Sequence, residues 1–436
     1  MLFNIEDLEK SGQNITAFDG RIFIRMVLVL LMFYISAGQA YAGGGLDSIP
    51  HKDSAVIVKD SSQRGNSLDI IDILKLMFGI KKTPFHKKVE RNSTGPFYTM
   101  AIFPAYNLVT GFAAVGNVNI SFRTKKNPEG NLSFFNNQFQ YTQKNQILFQ
   151  SLSNFYSNDN KWQFPGDIRY FHFPTTTFGL GSSSLPSAAD NIDYQHFRFY
   201  RTVLRQVAPF TYVGVGYNFD YRWDIELSDT SSQGYKEYVN YGYQKSSISS
   251  GPSLNFLYDN RDNANRPQTG TYFDFHFVSY LKALGSNSNW SSMIIDIRKY
   301  FPLTKKWYVD LGVWGYAWFT LNGHPPYLDM PSLGWDSYNN TGRGYAAGRF
   351  RGRNMLYLET ELRFDILRNG LLGLVVFGNA TSISEVNGKY FGPIQPGGGV
   401  GIRIKFNKHT KSNSALDYGF GTHSSRGFAT NINEVF

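Results

Sequence analysis

From Pro96 onward the chain alternates between apolar and polar positions with a period of two. Val213, Val215, Tyr217, Phe219, Tyr221, Trp223 and Ile225 interleave with Gly214, Gly216, Asn218, Asp220, Arg222 and Asp224. Phe273, Phe275 and Phe277 oppose Asp274 and His276; Met293, Ile295 and Ile297 oppose Asp296 and Arg298; Val400, Ile402, Ile404 and Phe406 oppose Gly401, Arg403 and Lys405. Successive side chains of a strand point to opposite faces, so each segment has one crowded apolar face and one small or charged face. A soluble sandwich would bury its apolar face and wet the other. Aromatics outward and charges inward is instead the pattern of a transmembrane β-barrel.

About sixteen strands are expected, at 97–105, 110–123, 132–142, 145–155, 160–172, 194–206, 208–225, 247–259, 268–283, 286–301, 305–320, 353–368, 370–381, 394–406, 413–421 and 425–436. The long connections, 173–193, 226–246, 321–352 and 382–393, all follow odd-numbered strands and so share one end of the barrel. Short periplasmic turns and longer external loops are the rule for such barrels. The fold class predicted is therefore all-β, an antiparallel outer-membrane barrel covering 96–436.

Composition agrees. Aromatic residues make up 17% and charged residues 17% of the 436, with 42 glycines, which suits strands facing lipid between aromatic girdles. There is no cysteine, so disulfides contribute nothing to stability. The net charge of +10 suits anionic lipid head groups, including lipopolysaccharide, as partners. No basic run with interleaved aromatics forms a nucleic-acid module.

The N-terminal region reads separately. Arg21 and Arg25 precede the apolar run Met26 to Ile35, followed by Ala40-Tyr41-Ala42. This has the form of a signal peptide over 1–42, too short to span as a helix. Glu6, Asp7, Glu9 and Asp19 are unusual ahead of a signal and leave open a start downstream of Met1. Residues 43–95 form a periplasmic linker in which Leu68 to Ile80 suits a short helix. That helix could sit in the barrel mouth, at the membrane interface, against a partner, or simply on the rim.

Three motifs then occur in order. Asp259-Asn260-Arg261-Asp262 is followed by Pro267, Gly270 and Tyr272; Arg343-Gly344-Tyr345 lies in the sixth external loop; Glu361-Leu362-Arg363 lies on the strand after it. On these residues the chain resembles the BamA/TamA superfamily of bacterial surface-antigen barrels, which includes two-partner-secretion transporters. Its 43–95 segment is too short for a set of periplasmic POTRA domains, so it resembles a barrel-only branch. The resemblance implies that loop 6 folds into the lumen. Arg343 would pair there with Glu361 first, or Glu359 if the register differs, with Arg363 nearby. A guanidinium suits this role through bidentate recognition of carboxylates. The family usually adds a carboxylate on the next strand, where this chain has Asn379, so a weaker or differently tuned lock is expected. Phe436, an aromatic at the end of the last strand, matches the family's C-terminal assembly signal.

Enzyme chemistry finds no support in the motifs. There is no G-x-S-x-G, no H-E-x-x-H and no phosphate-cradling loop. Asp329, Asp336 and His324 are the one acidic and histidine grouping an external site could use. No cofactor or metal is expected. The resemblance implies assistance in insertion or export of outer-membrane or surface components with a separate periplasmic or outer-membrane protein partner. A passive or gated pore, or a structural scaffold, is the alternative.

Overall fold

A computed structural model describes residues 96–436 apart from 108–110, 124–132, 173, 305–308, 338, 368, 387–389, 408–410 and 433. The signal peptide at 1–42 and the linker at 43–95 with its expected helix lie outside the described residues.

The described chain is one up-and-down antiparallel barrel. Its strands are β1 (Phe97–Asn107), β2 (Gly111–Phe122), β3 (Ser133–Thr142), β4 (Ile147–Tyr156), β5 (Trp162–His172), β6 (Thr175–Thr177), β7 (Asp190–Ala208), β8 (Thr211–Leu227), β9 (Ser247–Asp259), β10 (Gly270–Tyr280), β11 (Trp290–Thr304), β12 (Val309–Gly323), β13 (Asn354–Asp365), β14 (Leu372–Ile383), β15 (Gln395–Asn407), β16 (Ser412–Gly421) and β17 (Arg426–Ile432). Sixteen of these form the wall, and β6 is a three-residue piece that pairs with β7 beyond the end of β5. Every wall strand pairs with the next in sequence. β17 comes back beside β1, and among the described residues no hydrogen-bonded ladder joins the two. A wall of this kind satisfies its backbone groups between strands, as a spanning structure in hydrocarbon must.

The faces follow the alternation. Val213, Val215, Leu254, Leu356, Leu358, Val376, Val400, Ile402, Leu416 and Phe420 are exposed on the outer surface, where lipid covers them. Asp220, Arg222, Glu359, Glu361, Arg363, Arg403 and Asp417 of the same strands point inward and are buried by what fills the lumen. Outer-membrane residence follows from this outward apolar belt. The four longest connections, 173–189, 228–246, 324–353 and 384–394, all emerge at one end, the external one by the usual arrangement.

The structure corrects two of the expected strands and adds a helix to one of the expected connections. A bulge in β8 sets Asp224 and Ile225 opposite Tyr194 alone, with Asp224 at φ +51°. The extra residue reverses the alternation: Asp224 is exposed, and Ile225 turns inward to 1% exposure. The fourth external loop contains a helix, α1 (Gln233–Gly242), capped by the Ser232 side chain accepting from the Tyr235 N–H. Its Tyr238 stacks on Tyr327 of loop 6 at 4.0 Å between ring centroids. The last strand ends at Ile432 rather than at Phe436, because the residues after it leave the wall for the lumen.

The lumen holds the core. Leu333, Tyr345 and Phe350 of loop 6 pack with Val435 and Phe436 against Tyr300, Trp314, Tyr316, Met355, Tyr357 and Ile383 of the wall. Nearer the external mouth, Tyr327, Leu328 and Met330 of loop 6 pack with Tyr238 of α1 and with Phe171, Ile192, Tyr194 and Ile225.

Candidate functional site: an arginine of loop 6 among luminal carboxylates

Loop 6, residues 324–353, descends into the lumen and places Arg343 against three inward strands. Nη1 donates to Asp417 of β16 at 2.8 Å, and Nη2 donates to Glu359 and, at 3.2 Å, to Glu361, both of β13. The guanidinium lies over the Phe377 ring of β14, 3.7 Å from its centroid, close enough for a cation–π contribution. Arg343 is 6% exposed, and Glu359 and Glu361 are fully buried. Burial would depress the arginine's pKa, but the three carboxylates hold it well above the ordinary value. The group is a permanent cation here.

Glycines shape the seat. Gly344 has φ +99°, and a Cβ there would stand 2.6 Å from the Phe420 carbonyl oxygen. Opposite, a Cβ on Gly419 would meet the Gly344 nitrogen at 2.6 Å, and one on Gly421 would meet the Tyr345 ring at 2.4 Å. The loop backbone therefore lies directly on bare wall backbone, and neither partner tolerates a methyl group. Tyr345 closes the seat: its hydroxyl donates to the Pro396 carbonyl at 2.5 Å and accepts from the Thr422 N–H at 2.9 Å.

The pairing reaches well beyond Arg343. Arg403 of β15 donates to Asp417 at 2.5 Å, to Glu361 at 3.1 Å and to Glu434 at 2.8 Å. Arg363 lies 3.6 Å from Glu361 and donates to the Pro267 carbonyl at 3.1 Å and the Phe436 carbonyl at 2.7 Å. Arg266 pairs with Asp365 at 2.8 Å. Acids and bases thus alternate from the loop 6 tip to the turn between β9 and β10. A buried charge is tolerated when it is paired and hydrogen-bonded in this manner.

That turn contains Asp259, Arg261, Asp262, Pro267 and Gly270. Arg261 forms a fork-to-fork pair with Asp259, at 2.9 and 2.8 Å, and lies over the Tyr272 ring at 4.5 Å. Asp262 accepts from the Gln268 and Thr269 N–H groups at 2.9 and 3.0 Å, the ordinary way such a side chain holds a turn. Gly270 has φ +103°, with the Asn260 carbonyl 2.5 Å from where a Cβ would be.

Asn379 does not replace a carboxylate. Its Nδ2 donates to the backbone carbonyl of Arg343 at 3.0 Å, so it holds the loop's main chain rather than its charge. The third carboxylate is Asp417, which sequence reasoning missed. The available signal was the alternation of Ala415, Asp417 and Gly419 with Leu416, Tyr418 and Phe420, an acid on an inward face. Phe436 is also not on the wall. Its ring is 5.3 Å from Trp314 and 6.4 Å from Tyr300, and the residue is 3% exposed.

A second tether holds loop 6 higher up. Asp329 accepts from Arg222 of β8 and, at 2.6 Å, from Ser249 of β9. Asp336 instead accepts from the Thr341 N–H at 2.8 Å, and His324 stacks on Tyr241. These three side chains therefore do not converge on one site. Cavities of about 210 and 280 Å³ remain on either side of the loop, the larger lined in part by Arg343, Tyr345 and Asp417.

The fold of the chain is similar to those of solved barrels. BamA from Haemophilus ducreyi lacking POTRA domains 1–3 superposes with a TM-score of 0.52 at 14% identity, over 78% of this chain and 70% of that one. CdiB from Acinetobacter baumannii gives 0.52 at 12% identity, over 78% and 59%, and CdiB from Escherichia coli gives 0.50 at 11%, over 77% and 62%. The chain shares the fold of these barrels. It spans about six-tenths of the length of each CdiB chain. No family profile and no curated protein matches the sequence.

Proposed function

We propose that the protein is an assembly or translocation barrel of the outer membrane. It assists insertion or export of outer-membrane or surface components, working with a separate protein partner on the periplasmic side. The observation that carries this reading is Arg343 held among Glu359, Glu361 and Asp417 deep in the lumen. A simple sieve gains nothing from an external loop tied by buried ion pairs through its own conduit. A barrel that must change state has a use for such an element, because one guanidinium joins the loop to three strands and its release unpins the loop from all of them. The β1–β17 junction, without a described ladder, offers the place where the wall would part. In this reading Arg343 is the lock, Glu359, Glu361 and Asp417 are its receptors, and Asn379 fixes the backbone that carries it.

Depletion of the protein, followed by quantification of other barrels and surface proteins in the outer membrane, tests the reading. A selective fall in some of them is expected; unchanged levels of every one would overturn it. Planar-bilayer recording separates it from a passive pore, since a filled lumen gives small flickering currents and an open pore a large steady one.

A further inference from the structure

The residues after β17 are bound in the lumen as a peptide is bound in a groove. The Glu434 N–H donates to the Asn265 carbonyl at 3.1 Å. The Val435 carbonyl accepts from Asn340 Nδ2 at 2.7 Å, and the Phe436 carbonyl accepts from Arg363 Nη2 at 2.7 Å. Main-chain bonds of this kind provide affinity without regard to sequence, and side-chain pockets add specificity.

Both kinds of pocket are present. Glu434 accepts from Arg403 Nε and Asn413 Nδ2, each at 2.8 Å, with Arg266 3.7 Å away. Phe436 lies between Trp314 and Tyr300 with the Arg363 guanidinium 5.4 Å from its ring centroid. Gly312 of β12 makes the room, since a Cβ there would come within 3.0 Å of the Phe436 ring. The three residues are buried to 8%, 4% and 3% exposure. The groups that hold them come from the β9–β10 turn, loop 6 and five strands of the wall, so the pocket is built by the barrel rather than by the segment itself.

We propose that this pocket is a luminal peptide-binding site for an acidic–apolar–aromatic segment. Glu434-Val435-Phe436 is its tethered resting occupant, displaced by an incoming segment of the same chemistry. The same contacts couple occupancy of the site to loop 6. Asn340 of that loop holds the occupant's main-chain carbonyl, and Arg403 holds its carboxylate together with Asp417 and Glu361, two of the three receptors of Arg343. The site does not depend on the assembly reading, because it is defined by what it binds.

The test uses the full barrel in detergent and a fluorescent peptide, Asn-Glu-Val-Phe. A tethered occupant competes at an effective concentration of roughly millimolar, so the parent protein should bind the peptide weakly. The double variant Glu434→Ala with Phe436→Ala should bind it at least about tenfold more tightly. Peptides Asn-Ala-Val-Phe and Asn-Glu-Val-Ala should each lose at least about tenfold on that variant. Heat-modifiable migration in gels verifies that the variant barrel is folded. Equal binding of all three peptides, or none by a folded variant, overturns the proposal. A second measurement needs no vacated site. In a barrel with Tyr300→p-benzoylphenylalanine, photo-crosslinking should capture residues 434–436, and excess Asn-Glu-Val-Phe should suppress it. A crosslink indifferent to the peptide would equally overturn the proposal.

Discussion

Arg343→Ala removes the cation that loop 6 sets among Glu359, Glu361 and Asp417. Breaking a buried ion pair by deleting one partner generally costs about 3–5 kcal/mol, because the remaining charge stays buried. Here the loss is unevenly shared. Asp417 and Glu361 keep Arg403, at 2.5 and 3.1 Å. Among the described residues, Glu359 keeps the hydrogen bond that it accepts from the Tyr357 hydroxyl. The lower end, about 3 kcal/mol, is therefore appropriate, which shifts the ratio of docked to undocked tip by roughly a hundredfold. The barrel itself should remain folded, since its ladders are untouched and Asp329 still tethers the upper loop. The chain has no cysteine, so a single Ala346→Cys reports the tip without background. In the Arg343→Ala background its maleimide labelling should quicken by up to about a hundredfold, and single-channel currents should rise. Arg343→Lys should fall between, because an ammonium cannot span three carboxylates as a planar fork does. Labelling within twofold of the parent in both variants, on a folded barrel, would refute the claim that this pairing holds the loop.

Three further outcomes follow from the same geometry. Gly344→Ala places a methyl group 2.6 Å from the Phe420 carbonyl at φ +99°; it should cost about 1–3 kcal/mol and raise labelling at residue 346 while the barrel stays intact. Asp329→Asn leaves Arg222 without its carboxylate, so limited proteolysis from the external side should cut 324–335 sooner than in the parent. The third concerns pH. Burial would raise the Glu434 pKa, but Arg403, Arg363 and Arg266 outweigh it and push the group down to about 2. A carboxylate lowered on folding contributes stability that is full above its unfolded pKa and is lost as pH falls through the folded one. Thermal unfolding followed by circular dichroism should accordingly lose stability between pH about 4.5 and about 2, and Glu434→Gln should flatten that dependence. An identical acid profile in the variant would exclude the ion cage as its source.

Much of the wall was legible in the sequence because the wall is made of local alternation. Tyr357, Glu359, Glu361 and Arg363 share a face by period alone, and the structure turns that face inward. The bulge at Asp224 was not legible, since one extra residue leaves the pattern on both sides intact and merely exchanges the faces. Asp417 was missed for another reason. It meets Arg343 across 74 positions of sequence, and no motif ties an acid on β16 to a loop between β12 and β13. Asn379 stood where a charge was expected, yet its amide binds main chain, a choice that only the loop's final path decides. Glu434-Val-Phe read as the end of a strand because Val and Phe suit one; three arginines and a glycine-made hollow inside the barrel draw it away.

The bare inner surface beneath Tyr345 has a mechanical consequence. On β15 and β16 the inward positions 397, 419 and 421 that face the loop are all glycine, so the wall beneath it is a single backbone thick. Elsewhere, interlocked inward side chains resist bending; here the stiffness is lent by loop 6 lying against the sheet. Withdrawing the loop would leave a compliant panel next to β17, the strand that ends soonest and borders β1 without a described ladder. The position of the loop and the curvature of that side of the barrel would then behave as a single coordinate. Anything that moves the loop tip would bend the panel, and anything that bends the panel from the membrane side would loosen the tip.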